Sequence, residues 1–126
     1  ESITKSIDEI DMAVADKANI TQEVWNNLTL QNSWASVGGE TPQYMKDTLG
    51  FIHLRGRISG GIAADGTVVA TLPTGYRPLT YNYVFISTSG TGTVKQITEI
   101  SVSPSGEIKV YNALTTFVSL NIPPFN

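Results

Sequence analysis

Two hydrophobic periods divide the chain. Ile3, Ile7, Ile10 and Val14 are spaced four, three and four residues apart, the spacing that keeps apolar side chains on one narrow stripe of a helix. Ile3 and Ile10 take d positions of a heptad, Ile7 and Val14 take a positions, and acids with Lys5 occupy the other faces. A helix packed on its own domain carries a wider stripe. β-Branched residues at both a and d favour three or four strands over two. The spacing therefore predicts a short α-helical coiled-coil stem over residues 1–24 that assembles a homotrimer. Two heptads alone form a marginal seam, so the rest of the chain must share in holding the assembly.

From residue 50 onward the period becomes two. Phe51, His53, Arg55 and Arg57 alternate with Ile52, Leu54, Gly56 and Ile58. The β-branched run Thr67 to Leu72 follows Asp65-Gly66, so residues 50–72 read as two strands joined by an Asp-Gly hairpin turn. Tyr81 to Ser87, Ile97 to Val102, Glu107 to Tyr111 and Phe117 to Ile122 are further short strands, with a turn at Ser105-Gly106 and a link at "NALTT". "SGTGT", residues 89–93, reads as a flexible turn without the lysine of a phosphate loop. Many short strands with frequent turn signals predict a mainly β head, a β-sandwich or barrel, over residues 50–126. Residues 25–49, with Trp25, Trp34 and "SVGGETP", read as a transition or shoulder between stem and head.

Composition narrows what such a head can do. The 126 residues are 40% hydrophobic and 15% charged, which suits a packed domain with a short extra element. With no cysteine there is neither a disulfide framework nor a thiolate metal site. The chain begins at Glu1, which reads as a fragment of a longer or processed protein. No apolar run approaches the length of a membrane helix, and no signal-peptide order is present. Residues 1–23 carry a net charge of −4, whereas residues 24–126 hold six bases against five acids. The head therefore lacks the basic stripe of a nucleic-acid binder.

Catalytic candidates are few. His53 is the only histidine, and Arg55 two residues on rules out a His-x-His metal pair. A lone strand histidine reads as structural, although a trimer would gather three on its axis. A hydrolytic triad would have to combine His53 with Asp47, Asp65, Glu99 or Glu107, and no Gly-x-Ser-x-Gly elbow accompanies it. Glu99 and Glu107 read as solvated strand charges rather than a glycosidase pair. The expectation is no catalytic residue, no metal and no cofactor. What remains is recognition. Trp25, Trp34, Tyr76, Tyr81, Tyr83 and Tyr111 are amphipathic rings able to stack on sugar faces. Asn82, Asn112, Asp65, Arg55 and Arg57 supply planar or fixed polar groups. Tyr81, Asn82, Tyr83, Tyr111 and Asn112 pair aromatics with asparagines in turn-flanked positions and are the candidate ligand-binding residues.

The string from Trp25 to Pro78 carries a resemblance. Leu30 to Trp34, the pair Gly38-Gly39, Gly50 to Gly56 ("GFIHLRG"), the glycine-rich Gly60 to Gly66 and Thr71 to Pro78 ("TLPTGYRP") follow one another in order. So arranged, the chain resembles the head region of receptor-binding tail proteins from siphophages of Gram-positive bacteria, the Listeria type in particular, and "SPSGEIKVYN" resembles a later strand of that family. The resemblance implies a homotrimer with a helical stem or shoulder and a β head. It further implies a place at the distal tail tip or baseplate of the virion, with other tail proteins as neighbours. The head would bind a host wall teichoic acid or cell-wall polysaccharide without catalysis. It transfers no individual binding residue. The alternative is a structural trimerisation or capping module at the end of a tail fibre with no ligand of its own.

Overall fold

The computed structural model describes residues 23–126. Ile3, Ile7, Ile10 and Val14, and with them the expected helical stem, lie outside the described residues. Within the described residues there are ten strands and no helix: β1 (Asn26–Asn27), β2 (Ala35–Ser36), β3 (Gln43–Lys46), β4 (Ile52–Arg55), β5 (Arg57–Ser59), β6 (Thr67–Thr71), β7 (Tyr83–Thr91), β8 (Val94–Val102), β9 (Glu107–Tyr111) and β10 (Phe117–Ser119). They form a three-stranded sheet in the order β1-β3-β4 and a seven-stranded sheet in the order β2-β5-β10-β7-β8-β9-β6. All pairings are antiparallel.

The large sheet curls because one segment serves both of its edges. Leu30 bridges Ala70 on β6. The Gln31 N–H donates to the Val69 carbonyl at 2.8 Å, and Asn32 Nδ2 donates to the Val68 carbonyl at 2.6 Å. Asn32 and Ser33 then turn at φ of 56° and 69°, and the chain arrives at β2, on the opposite edge of the same sheet. The β6 edge is thereby covered, and the β2 edge is only two residues long, which makes it a poor template for further pairing.

Inside the curl, alternation fills the core. Ile100 and Val102 of β8, Ile108 and Val110 of β9, and Val118 of β10 are fully buried, as are Ile58 and Val69. The small sheet adds Ile52 and Leu54 to the same cluster. Phe125, which exchanges backbone hydrogen bonds with Ile52 at 2.6 and 3.1 Å, joins it. Three hydroxyl side chains, Ser87, Ser89 and Thr98, are buried as well. The Ser87 hydroxyl donates to the Ser119 carbonyl at 2.7 Å. Ser89 Oγ accepts from the Leu114 N–H at 2.9 Å and lies 2.5 Å from Thr98 Oγ1, which is itself 3.1 Å from the Asn112 carbonyl. A hydroxyl has one proton, so every group is satisfied when Ser89 donates to Thr98 and Thr98 to Asn112. That chain of bonds lets polar atoms sit in the core without the desolvation cost of an unpaired group.

Several expectations change. The alternating run Phe51 to Ile58 is not one strand: it breaks at Gly56, where φ is +108°, and β4 and β5 enter different sheets. The Asp65-Gly66 turn closes no hairpin, since β5 pairs with β2 and β10 while β6 pairs with β9. The reason is local. The Asp65 carboxylate accepts the Asn112 N–H at 2.8 Å and the Gly66 N–H donates to the Val110 carbonyl at 2.8 Å, so the turn docks on the end of β9 instead of folding back on β5. "SGTGT" is mostly strand: Ser89, Gly90 and Thr91 extend β7, and only Gly92-Thr93 turns. Residues 25–49 are continuous with the head, because β1 and β3 pair with β4's sheet, β2 pairs with β5, and Leu28 and Trp34 belong to the common core.

Candidate functional site

One face of the three-stranded sheet carries a polar row at its Asn27–Arg55 end, beside the buried Met45, which is paired with His53 on the same face. Asn27, Gln43 and Arg55 are in register across β1, β3 and β4 and form one row. Gln43 Nε2 donates to Asn27 Oδ1 at 2.8 Å, and Arg55 Nε and Nη2 donate to Gln43 Oε1 at 2.9 and 2.6 Å. The Arg55 guanidinium lies 4.0 Å from the centre of the Trp25 ring, a stacking that fixes its plane. Trp25 also meets His53 edge-on at 6.4 Å.

His53 Nε2 is 2.8 Å from Asp47 Oδ2, and Asp47 Oδ1 accepts the Leu49 and Phe51 N–H groups at 2.9 Å each. The His53 hydrogen bond, with these two amides behind it, holds the Asp47 carboxyl below its ordinary range. Asp47 thus fastens the 47–51 turn and His53 together. Among the described residues there is no cluster of three or more potential metal ligands.

Beside this row the face drops into a cleft of about 350 Å³, lined by Gly39, Glu40, Thr41, Gln43, Arg55, Gly56 and Asn121. Its lining comes from three distant segments. Gly56 makes the meeting possible: a Cβ there would lie 2.5 Å from Pro42 Cα and 2.6 Å from the Thr41 carbonyl oxygen. The Gly56 N–H donates to Asn121 Oδ1 at 3.1 Å, and its carbonyl accepts the Leu120 N–H at 2.8 Å. The Glu40 carboxylate stands 3.4 Å from Arg57 Nε, but Nε is buried without a hydrogen bond, so the pair is an electrostatic contact only. The Arg57 guanidinium lies over the Phe117 ring at 4.7 Å. A smaller cleft of about 180 Å³, lined in part by Lys46, Arg77, Leu79 and Asn126, lies beyond the other end of β3.

The residues expected from sequence are not brought together. Tyr81 and Asn82 are exposed in the loop before β7. Tyr83 pairs with Val102 on the core face, stacks on Phe85 at 5.9 Å and neighbours Phe125. Tyr111 pairs with Glu99 on the outer face, a whole strand away from β7. Asn112 takes φ +58° and is structurally engaged: Nδ2 donates to the Ile97 carbonyl, the N–H to Asp65, and the carbonyl accepts from Gln96 Nε2 at 2.7 Å. Of the other rings, Trp34 is buried and donates through Nε1 to the Ile62 carbonyl, and Tyr76 packs on Tyr44 at 4.9 Å. Trp25 and Arg55, both noted from sequence, do meet at the polar face. Glu40, Thr41, Gln43 and Asn121 were not foreseen. Glu40 and Thr41 sit in "GGET", Gln43 two residues beyond it, and Asn121 is the one polar residue of "LNIPP".

No protein-family model matches the chain, and no curated protein does. Among solved structures, the chain is similar to the receptor binding protein (gp15) of Listeria phage PSA, with a TM-score of 0.69 and 19% identity over 99% of this chain and 79% of that one. It is also similar to the head domain of lactococcal phage bIL170, described among receptor binding domains, with a TM-score of 0.61 and 22% identity over 80% of this chain and 94% of that one. At these identities the likeness is one of fold.

Proposed function

We propose that the chain is the receptor-binding head of a phage tail protein and attaches the virion to a host cell-wall glycan, a wall teichoic acid or cell-wall polysaccharide, without catalysis. The observation that carries this reading is one face of the small sheet, where an indole packs on a guanidinium that is hydrogen-bonded to a row of side-chain amides, on a fold similar to a phage receptor binding protein and a phage receptor-binding head domain. Rings beside fixed planar donors and acceptors are the equipment of sugar recognition. Single sugar sites are weak, and presentation as a homotrimer at the distal tail tip or baseplate, among other tail proteins, raises the effective affinity without new contacts. Support for self-association comes from β7 and β8, whose outward face exposes Val84, Ile86 and Ile97. That apolar face would equally serve a purely structural capping module, so binding itself is the discriminating measurement.

The test is sedimentation of labelled protein with purified listerial and lactococcal cell walls, intact or stripped of sugar substituents, from about 50 to 500 mM salt, a span over which the Debye length falls severalfold. Saturable binding that persists in salt and disappears on stripping is expected. Absence of saturable binding to all intact walls would overturn the receptor-binding reading. Binding that survives stripping and collapses in salt would replace the sugar by the polymer's phosphates.

A further inference from the structure

We infer that the cleft between residues 39–43, Arg55 and Asn121 seats one uncharged pyranose unit, and this rests on the receptor-binding reading above. The argument begins with an inventory of groups. Arg55 uses Nε and Nη2 on Gln43, and its Nη1 has no partner among the described residues and can donate. Asn121 Oδ1 is engaged by the Gly56 N–H, while its Nδ2 has no partner among the described residues. On the acceptor side stand the Glu40 carboxylate, which makes no hydrogen bond among the described residues, and the exposed Thr41 hydroxyl. Donors and acceptors thus alternate around one space. Vicinal sugar hydroxyls, each able to donate and accept, match a mixed set. A phosphate, which only accepts, would meet Arg55 and Asn121 but would leave the acceptors on Glu40 and Thr41 unused.

Charge and rigidity point the same way. Arg55 and Glu40 line the cleft, and the Arg57 guanidinium stands 3.4 Å from Glu40, so two cations face one carboxylate, short of the cluster of bases that holds a polyanion by charge. The recognition groups are also fixed before any ligand arrives. Gln43 is held from both sides by Asn27 and Arg55, Arg55 is held flat on Trp25, and Asn121 is tied to the backbone at Gly56. Such preorganisation lowers the ordering cost of binding. A volume of about 350 Å³ is at the small end of ligand sites and suits one ring with some water.

The experiment uses the full chain. Amide and side-chain NMR signals are followed during titration with a panel of methyl hexopyranosides and N-acetylhexosaminides, and separately with glycerol 3-phosphate. Wall binding is measured in parallel for wild type, Arg55→Ala and Glu40→Gln, with thermal melting as the check on folding. At least one neutral glycoside should shift the Arg55 Nε, Gln43 and Asn121 side-chain signals. Each variant that melts like wild type should lose about tenfold or more in wall affinity, the size expected when hydrogen bonds to a charged group are removed. Wild-type wall binding with both folded variants unchanged would overturn the cleft assignment and leave the receptor-binding reading standing. Glycerol 3-phosphate moving these signals where no glycoside does would overturn the uncharged-sugar assignment. Failure of wild type to bind any wall would overturn both. If Arg55→Ala melts early, Glu40→Gln and the glycoside shifts decide.

Discussion

Replacing Gly56 by alanine should damage the fold at the cleft more than the same change at Gly60, and the structure fixes the difference. Both glycines have positive φ, +108° and +75°. An L-residue held in that region costs about 1–2 kcal/mol. At Gly60 that is the whole cost, because nothing lies within 4 Å of the added Cβ. At Gly56 the Cβ would also meet Pro42 Cα at 2.5 Å, the Thr41 oxygen at 2.6 Å and Pro42 N at 2.7 Å. All three are backbone atoms, so relief requires moving the 41–42 segment or the junction of β4 and β5. Overpacking of this kind adds about 1–3 kcal/mol, which brings Gly56→Ala to about 2–5 kcal/mol. For a domain of this size about 1 kcal/mol corresponds to roughly 3–6 °C in Tm. Circular dichroism melts at matched protein concentration should therefore show Gly56→Ala shifted further than Gly60→Ala, by roughly 3 °C or more. Concentration must match because assembly raises the apparent Tm. Equal shifts would refute the claim that close packing of Gly56 on Thr41 and Pro42 holds this region together.

Other consequences follow from features already described. Thr98→Val is nearly isosteric but leaves the Ser89 hydroxyl proton without its acceptor in a buried site, so urea unfolding should show a loss of about 1–3 kcal/mol; a change under about 0.3 kcal/mol would mean that the hydroxyl chain contributes nothing. Asp47 is held below its ordinary value of 3.8 by His53 and two backbone amides. A depressed carboxylate contributes stability present above the unfolded pKa and lost as pH falls through the folded one. Melting temperature should thus fall more steeply on acidification below about pH 4 in wild type than in Asp47→Asn, and parallel profiles would contradict that role. Light scattering should return about three times 13.6 kDa for the whole chain, and a monomer at micromolar concentration would remove the homotrimer.

Legibility in the sequence followed the range of the interactions. Period-two burial survives even across the break at Gly56, with Ile52, Leu54 and Ile58 all inward, because side-chain alternation is set by the backbone alone. β9 was readable in full for the same reason. The sheet switch at Gly56 was not, since the contacts that demand a glycine come from Thr41 and Pro42. The true partner of β6 was hidden because Asp65-Gly66 is a good hairpin turn in isolation, and Asn112, 47 residues from Asp65, redirects it together with the Val110 carbonyl. The cleft was hidden by distance: Gly56 and Asn121 are 65 residues apart, and "GFIHLRG", which ends at Gly56, says nothing of the segments that meet there. Tyr83 and Asn112 looked like ligand groups because an aromatic and an amide in turn-flanked positions carry the same letters whether they face solvent, pack on Phe85 or cap a strand.

The position of β10 has a consequence for how the protein is made. This strand lies between β5 and β7, in the interior of the large sheet, and Phe125 completes the pairing of β4. Residues 117–125 are thus central in space while being among the last of the described residues to leave the ribosome. Until they emerge, β5 and β7 face each other across a missing strand, and the core lacks Val118, Leu120, Ile122 and Phe125. Strand pairing of such long sequence separation is slow to form. A nascent or prematurely terminated chain therefore cannot reach the closed fold. Only chains translated through residue 125 can close the large sheet and fill its core, so the surface of this domain is finished late relative to its own sequence.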